Sequence, residues 1–290
     1  MTIRNPIEWG WSQVNTTADA LGAAGRAVLH INDRQQAAPP MVRRITISDL
    51  RDVLARGIED LGAYRTDVIF LCAIYPLIGL VLVRLAFGQD MLPLLFPLAS
   101  GFALVGPVAA VGLYEISRRR EQGVKVTWAD AFGVWRSPSF APIAVLSLLL
   151  LAIFAIWLLV AWAIYALTLG PQPPVSLSAF VRDVFTTSAG WTMIVVGVGV
   201  GFVFAVLVLT ISVVSFPLLL DRQVGFSTAI STSVRAVIAN PVPMAAWGVI
   251  VSAALVLGAI PVFIGLIVVL PVLGHSTWHL YRKLVPLTGR

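Results

Sequence analysis

Five stretches of this chain run almost without charge for the length of a membrane span. Val68 to Phe87 holds one charged residue, Arg84, near its end. Met91 to Tyr114, Ala141 to Leu169 and Trp191 to Leu220 hold none, and Pro241 to Tyr281 contains no Asp, Glu, Lys or Arg. A run of about 20 apolar residues crosses a hydrocarbon core of about 30 Å. The last stretch would reach about 60 Å as one helix, twice that thickness, so it is expected to fold back once. Pro261, with Gly258 before it, is the natural turn. The spacing therefore predicts six spans, at about 67–88, 91–116, 141–169, 191–219, 243–260 and 262–283. Charged residues make up 12% of the chain, against roughly a quarter in soluble domains, so the runs are not the core of a water-soluble fold.

Charge sets the threading. Of the 20 Lys and Arg, eight precede the first span, five lie between Arg118 and Arg136, Arg222 and Arg235 follow the fourth, and Arg282, Lys283 and Arg290 close the chain. Only Arg84 and Arg182 fall on the other side. The positive-inside rule then puts both termini in the cytoplasm of a bacterial inner membrane, which requires an even number of spans. The net charge of +6 is topological and needs no nucleic-acid partner. Residues 1–40 lack the continuous apolar region of a secretory signal and read as a cytoplasmic, largely mobile tail, with a short helix conceivable between Val14 and Leu29. Residues 41–290 form the six-span membrane domain. Tyr64, Tyr114, Trp247, Trp278 and Tyr281 are expected at the cytoplasmic membrane interface, and Trp162, Tyr165 and Trp191 at the far one. The single Cys72 lies in the first span, so no intramolecular disulfide can form.

A cassette recurs three times: an amphipathic stretch, then two apolar runs, the second ending in polar or basic residues. The amphipathic stretches begin near Thr46, Thr127 and Ser227. Thr46–Asp49 and Thr127–Asp130 resemble a capping box, in which a hydroxyl and an acid satisfy the free groups of a helix start. Apolar residues follow at helical spacing: Leu50, Val53, Leu54, Ile58 and Leu61; Ala131, Val134 and Trp135; Phe226, Ile230, Val234, Val237 and Ile238. The fold class is thus an all-α integral membrane protein, six transmembrane helices as three hairpins, each preceded by a cytoplasmic amphipathic helix. Arg51, Arg56, Arg118, Arg119, Arg136, Arg235, Arg282 and Lys283 are candidate contacts to lipid headgroups, and membrane lipids are the expected partners.

The second spans match one another. With Pro107 and Pro271 aligned, Tyr114 meets Trp278, Glu115 meets His279, Arg118 meets Arg282 and Arg119 meets Lys283, while Pro217 with Asp221 and Arg222 is a shortened version. A proline inside a helix removes a backbone hydrogen bond and kinks it. Kinked spans at one depth could enclose a cytoplasmic-side cavity, for which Tyr114, Glu115, Trp278 and His279 are the candidate lining, or could serve packing alone. His275 and His279 share a helix face and are weak metal or haem candidates, with Glu115 a conceivable third ligand, but the pair does not complete a site. No cofactor is expected. No phosphate-cradling glycine motif and no HExxH occurs, and no ionisable residue lies near mid-membrane, as ion-coupled carriers usually require. Gly197 and Gly201 form a GxxxG pattern that permits close helix approach.

The stretch Ile45 to Lys283 resembles a family of uncharacterised bacterial integral membrane proteins, domain of unknown function 2189. The residues that carry this are Arg44 to Gly57, Gly106-Pro107 leading to the Tyr114–Arg119 block, and Leu273 to Lys283. Some relatives are labelled cytochrome c oxidase, but a haem–copper subunit draws histidines from several helices and here both lie on one. The resemblance supplies no catalytic residue. It is compatible with an accessory, non-enzymatic component of a membrane complex, a respiratory oxidase being one conceivable partner. The alternatives are a transporter or lipid-handling protein and, third, a haem or metal protein.

Overall fold

The structure, a computed structural model, describes residues 40–72, 77, 79–81, 84, 92–124, 127, 130–131, 133–134 and 137–286, with the side chains of 64–72 and 102 left aside. Residues 1–39 of the tail assigned to residues 1–40, with the helix conceivable between Val14 and Leu29, Arg136 and most of the first predicted span lie outside this set.

The described elements are helical. Helix α1 runs Ile47–Cys72. A short 3₁₀ turn, Leu92–Leu94, leads into α2, Leu95–Ala109, which gives way at Ala110 to α3, Val111–Glu121. Then follow α4, Phe140–Thr168; α5, Leu177–Thr186; α6, Ser188–Ser212; and α7, Ser215–Asp221. The last three are α8, Phe226–Ala239; α9, Pro241–Ala259; and α10, Leu266–Leu284. Four helical stretches are long and apolar enough to cross a membrane: Leu92–Glu121, Phe140–Thr168, Ser188–Asp221 and Pro241–Ala259. They fall on four of the six predicted spans. Helix α10 has the length but is too polar in its second half to count among them.

Local chemistry explains the boundaries. The Thr46 amide and hydroxyl both donate to Asp49 Oδ2, at 2.8 and 2.9 Å, and the Thr127 amide and hydroxyl do the same to Asp130 Oδ2, at 2.8 and 3.0 Å. This is the acid's half of the capping box at each start. Only the first leads into a long helix; the described residues after Thr127 form short 3₁₀ turns before Pro138. The turn at Pro261 is where the sequence put it. Ile260 to Gly265 reverse the chain, passing through left-handed φ at Val262 and Phe263, and bring Gly258 against Gly265. A β-carbon on Gly265 would stand 2.8 Å from Gly258 Cα, so this hairpin closes only without one.

Packing is uneven along the molecule. Leu92–Glu121 and Ser188–Asp221 hold 30 and 34 residues, or about 45 and 51 Å, which exceeds a bilayer core by roughly 15–20 Å. The surplus is α3 and α7, set off by the breaks at Ala110 and Val213–Val214. These ends are densely packed: α7 is buried from Ser215 to Leu220 and α3 from Leu113 to Ser117. Between Ala110 and Asp221, α4 and α6 instead bury only 28% and 6% of their most apolar windows. Water drives apolar side chains together, whereas lipid tails are as apolar as leucine and give no such drive. Tyr114, Trp247, Trp278 and Tyr281 are buried to 2% or less. They are core residues, not the exposed interfacial belt that their positions implied. Of the three aromatics expected at the far interface, Trp162 and Trp191 are over half exposed and Tyr165 is buried.

Candidate functional site

The polar end is assembled where α1 and α10 run antiparallel beside α3 and α7. The Arg43 amide donates to the Leu284 carbonyl at 2.8 Å, so the two ends of the described chain meet. Three acids, the buried Asp60 and Glu115 and the half-buried Asp221, hold the assembly together.

Asp60 of α1 joins three helices. Its Oδ2 accepts from Ser117 Oγ on α3 at 2.5 Å and pairs with His279 Nε2 on α10 at 2.9 Å. Its Oδ1 accepts from Arg120 at 2.5 Å. Burial pushes this carboxyl up, but the His279 and Ser117 hydrogen bonds and the histidine charges outweigh it and hold the group below the usual carboxylate range. His275 Nδ1 lies 2.7 Å from the same Ser117 hydroxyl. Since that hydroxyl spends its one proton on Asp60, His275 Nδ1 carries the proton of this contact. Its Nε2 is left buried without a hydrogen-bond partner, as is Ser276 Oγ.

Glu115 of α3, 2% exposed, accepts from Arg118 at 2.7 and 2.9 Å and from Arg119 at 2.7 Å. Arg119 reaches on to Asp130 at 2.5 Å. The Thr127 amide, ahead of the Arg119 charge, holds the Asp130 carboxyl low. Asp221 of α7 binds Arg282 of α10 in two parallel hydrogen bonds of 2.6 and 2.8 Å and accepts from Tyr281 at 2.6 Å. Arg282 also donates to Glu121 at 2.8 Å and lies 4.7 Å above the Trp278 ring, whose Nε1 donates to Glu121 at 3.2 Å. Lys283 binds Asp49 at 2.8 Å and Asp52 at 3.0 Å.

The candidate residues therefore separate. Glu115 and His279, paired by the internal repeat, have different partners: Glu115 holds arginines of its own helix, and His279 holds Asp60. Tyr114, Glu115 and Trp278 are all buried to 2% or less. Asp60, missed in the sequence, is the hub; the only signal available was an acid continuing the buried Leu50–Val53–Gly57 face by one more turn. Among the described residues, no group of three or more His, Cys, Asp or Glu is arranged to hold a metal ion. Of the candidate headgroup contacts, Arg118, Arg119, Arg282 and Lys283 are engaged with acids. Arg51 and Arg56 are exposed on α1. Arg235 is exposed on α8 and donates to Thr232 Oγ1 at 3.2 Å and to the Pro40 carbonyl at 3.4 Å.

Apolar helices of spanning length, capped at one end by a knot of ion pairs, define an integral membrane protein of the helical class. Residues 95–221 match the family model described as predicted integral membrane protein (DUF2189), as the sequence resemblance implies. The Gly106–Arg119 block lies inside the matched residues, and the segments Arg44–Gly57 and Leu273–Lys283 lie outside them. No curated protein and no solved structure matches the chain.

Proposed function

We propose that the chain is a non-enzymatic, partner-binding component of a membrane complex. The observation that carries this is α6. Its most apolar stretch is 6% buried within the chain, against 22–29% for the other three spans. Gly197 and Gly199 have nothing within 4 Å of where a β-carbon would stand, whereas one on Gly201 would stand 3.1 Å from the Trp157 ring. Small, open positions on either side of Val198 let another helix approach closely in lipid, where association depends on packing. The groups that could do chemistry, Asp60, Glu115 and Asp221, are meanwhile committed to internal ion pairs.

The same reading includes six spans with both ends in the cytoplasm of an inner membrane. In its support, α10 follows α9 after the reversal at Pro261, and the Arg43–Leu284 hydrogen bond brings the two ends of the described chain together. The Lys and Arg bias makes their side the cytoplasm.

The test is photocrosslinking from Val198 and Phe202, which are 56% and 68% exposed, in native membranes. A discrete protein adduct, lost when Gly197 and Gly199 are both changed to Leu, is expected. Adducts to lipid alone would overturn the proposal. A transporter or lipid-handling role has less support, since three of the four residues assigned to its cavity are buried in packing.

A further inference from the structure

Helix α8 has two unlike flanks. At about 100° per residue, Phe226, Ile230, Val234 and Val237 fall to one side and Thr228 and Arg235 to the other, while Ser231 and Ile238, seven residues apart, share the outward edge between them. Ala229, Thr232, Ser233 and Ala236 are buried against the rest of the chain. These small residues are the fully buried ones; Phe226, Ile230 and Val237 pack beside them against the core but stay half-buried, as does Val234, and Ile238 is 71% exposed. In water this would be an unfavourable arrangement.

Two observations set the depth of this helix. Span α9 starts at Pro241, two residues after α8 ends at Ala239, and has 19 residues. That is about 28 Å of helix, no more than the hydrocarbon thickness, so Pro241 lies at the membrane edge. Val242, just past the junction, is 63% exposed. Independently, Ser233 of α8 accepts from the Val214 amide at 3.2 Å and donates to the Thr210 carbonyl at 2.7 Å. It thereby fills the gap where α6, a 25-residue span, gives way to α7. Arg235 meets two neutral acceptors, so its charge is not matched by an acid in those contacts.

We propose that α8 lies in the bilayer surface, with its Phe226–Val237 flank among the upper acyl chains and Arg235 at a lipid phosphate. An amphipathic helix of this kind sinks its apolar flank about 5–10 Å below the headgroups. The covalent junction to α9 keeps it there. It is independent of the partner assigned to α6.

The test uses the full chain with Cys72→Ser, in nanodiscs of phosphatidylcholine and phosphatidylglycerol, with single spin labels at Ile230→Cys, Val234→Cys or Thr228→Cys. Labels at 230 and 234 are expected to collide more with oxygen than with a water-soluble nickel chelate, and the label at 228 the reverse. A label at 234 that favours the nickel chelate, or is shielded from both reagents as under a protein partner, overturns the proposal. For the phosphate contact, native mass spectrometry counts the phosphatidylglycerol retained. Arg235→Gln is expected to lose retained lipid and Arg235→Lys to keep it; an unchanged count in Arg235→Gln overturns the contact.

Discussion

Gly57 of α1 and Ser276 of α10 meet so closely that a β-carbon on Gly57 would stand 2.0 Å from Ser276 Oγ, 2.8 Å from Ser276 N and 2.9 Å from the Val272 carbonyl. Two of these three atoms are backbone, so the crossing cannot relax by turning one side chain. The antiparallel pair α1–α10, and with it the placement of Asp60 beside His279, depends on this contact.

Gly57→Ala should therefore lower the melting temperature in detergent or nanodiscs, by an amount equivalent to about 1–3 kcal/mol. Adding Ser276→Ala should not restore it. Gly62 on the same helix has nothing within 4 Å, and Gly62→Ala should be neutral or stabilising by about 0.5–1 kcal/mol. Equal losses at both positions would show that the crossing is not tight.

Removing the charge at the hub should cost more than removing one of its outer partners. Asp60→Asn leaves Arg120 and His279 around an uncharged amide and should destabilise by about 3 kcal/mol or more. The Arg120 side chain is 35% exposed, and Arg120→Gln should cost nearer 1 kcal/mol because water replaces part of the pairing. Chemical unfolding in mild detergent measures both.

Arg282→Lys keeps the charge but not the fork. Lysine cannot reproduce the two parallel bonds to Asp221, the third to Glu121 and the stacking on Trp278. A loss of about 1–3 kcal/mol is expected. Combined with Asp221→Asn, the loss should fall short of the sum of the two single changes, since both remove one interaction; simple additivity would show that the pair is not coupled.

Asp49 links acid sensitivity to the α1–α10 junction. The hydrogen bond from Lys283, then the Thr46 amide, lowers its carboxyl from 3.8 to about 2. A folded value below the unfolded one adds stability that is fully present above pH 3.8 and lost as pH falls through about 2. Thermal unfolding in a non-ionic detergent between pH 5 and pH 2 should show this loss, with a shallower slope for Asp49→Asn. An unchanged slope would mean that the Lys283 contact does not persist.

Much of the frame was legible because it depends on neighbours in sequence. The reversal at Pro261 and the acid's half of the capping box at Thr46 and Thr127 need only a few consecutive residues. After Thr127 the described residues form 3₁₀ turns, in a segment that holds Gly133 and Pro138. Tyr114, Trp278 and Tyr281 were misjudged. Their place near the end of an apolar run is the same for an interfacial aromatic and for one buried under another helix, and only the facing helix distinguishes the two.

The sequence by itself determined the membrane class, the span positions that the helices bear out, and the lack of common phosphate-binding and metallopeptidase motifs. Run length, proline placement and residue type are one-dimensional properties, and a bilayer converts them directly into helices. Only the tertiary structure decided that Asp60 unites Ser117, Arg120 and His279, that Glu115 holds arginines instead of facing His279, and that α8 buries its small residues fully. Each of these depends on which faces meet across long sequence separations. At the polar end that choice rests on hydrogen-bond geometry and on a single missing β-carbon at Gly57, neither of which is visible in the pattern of apolar and charged residues.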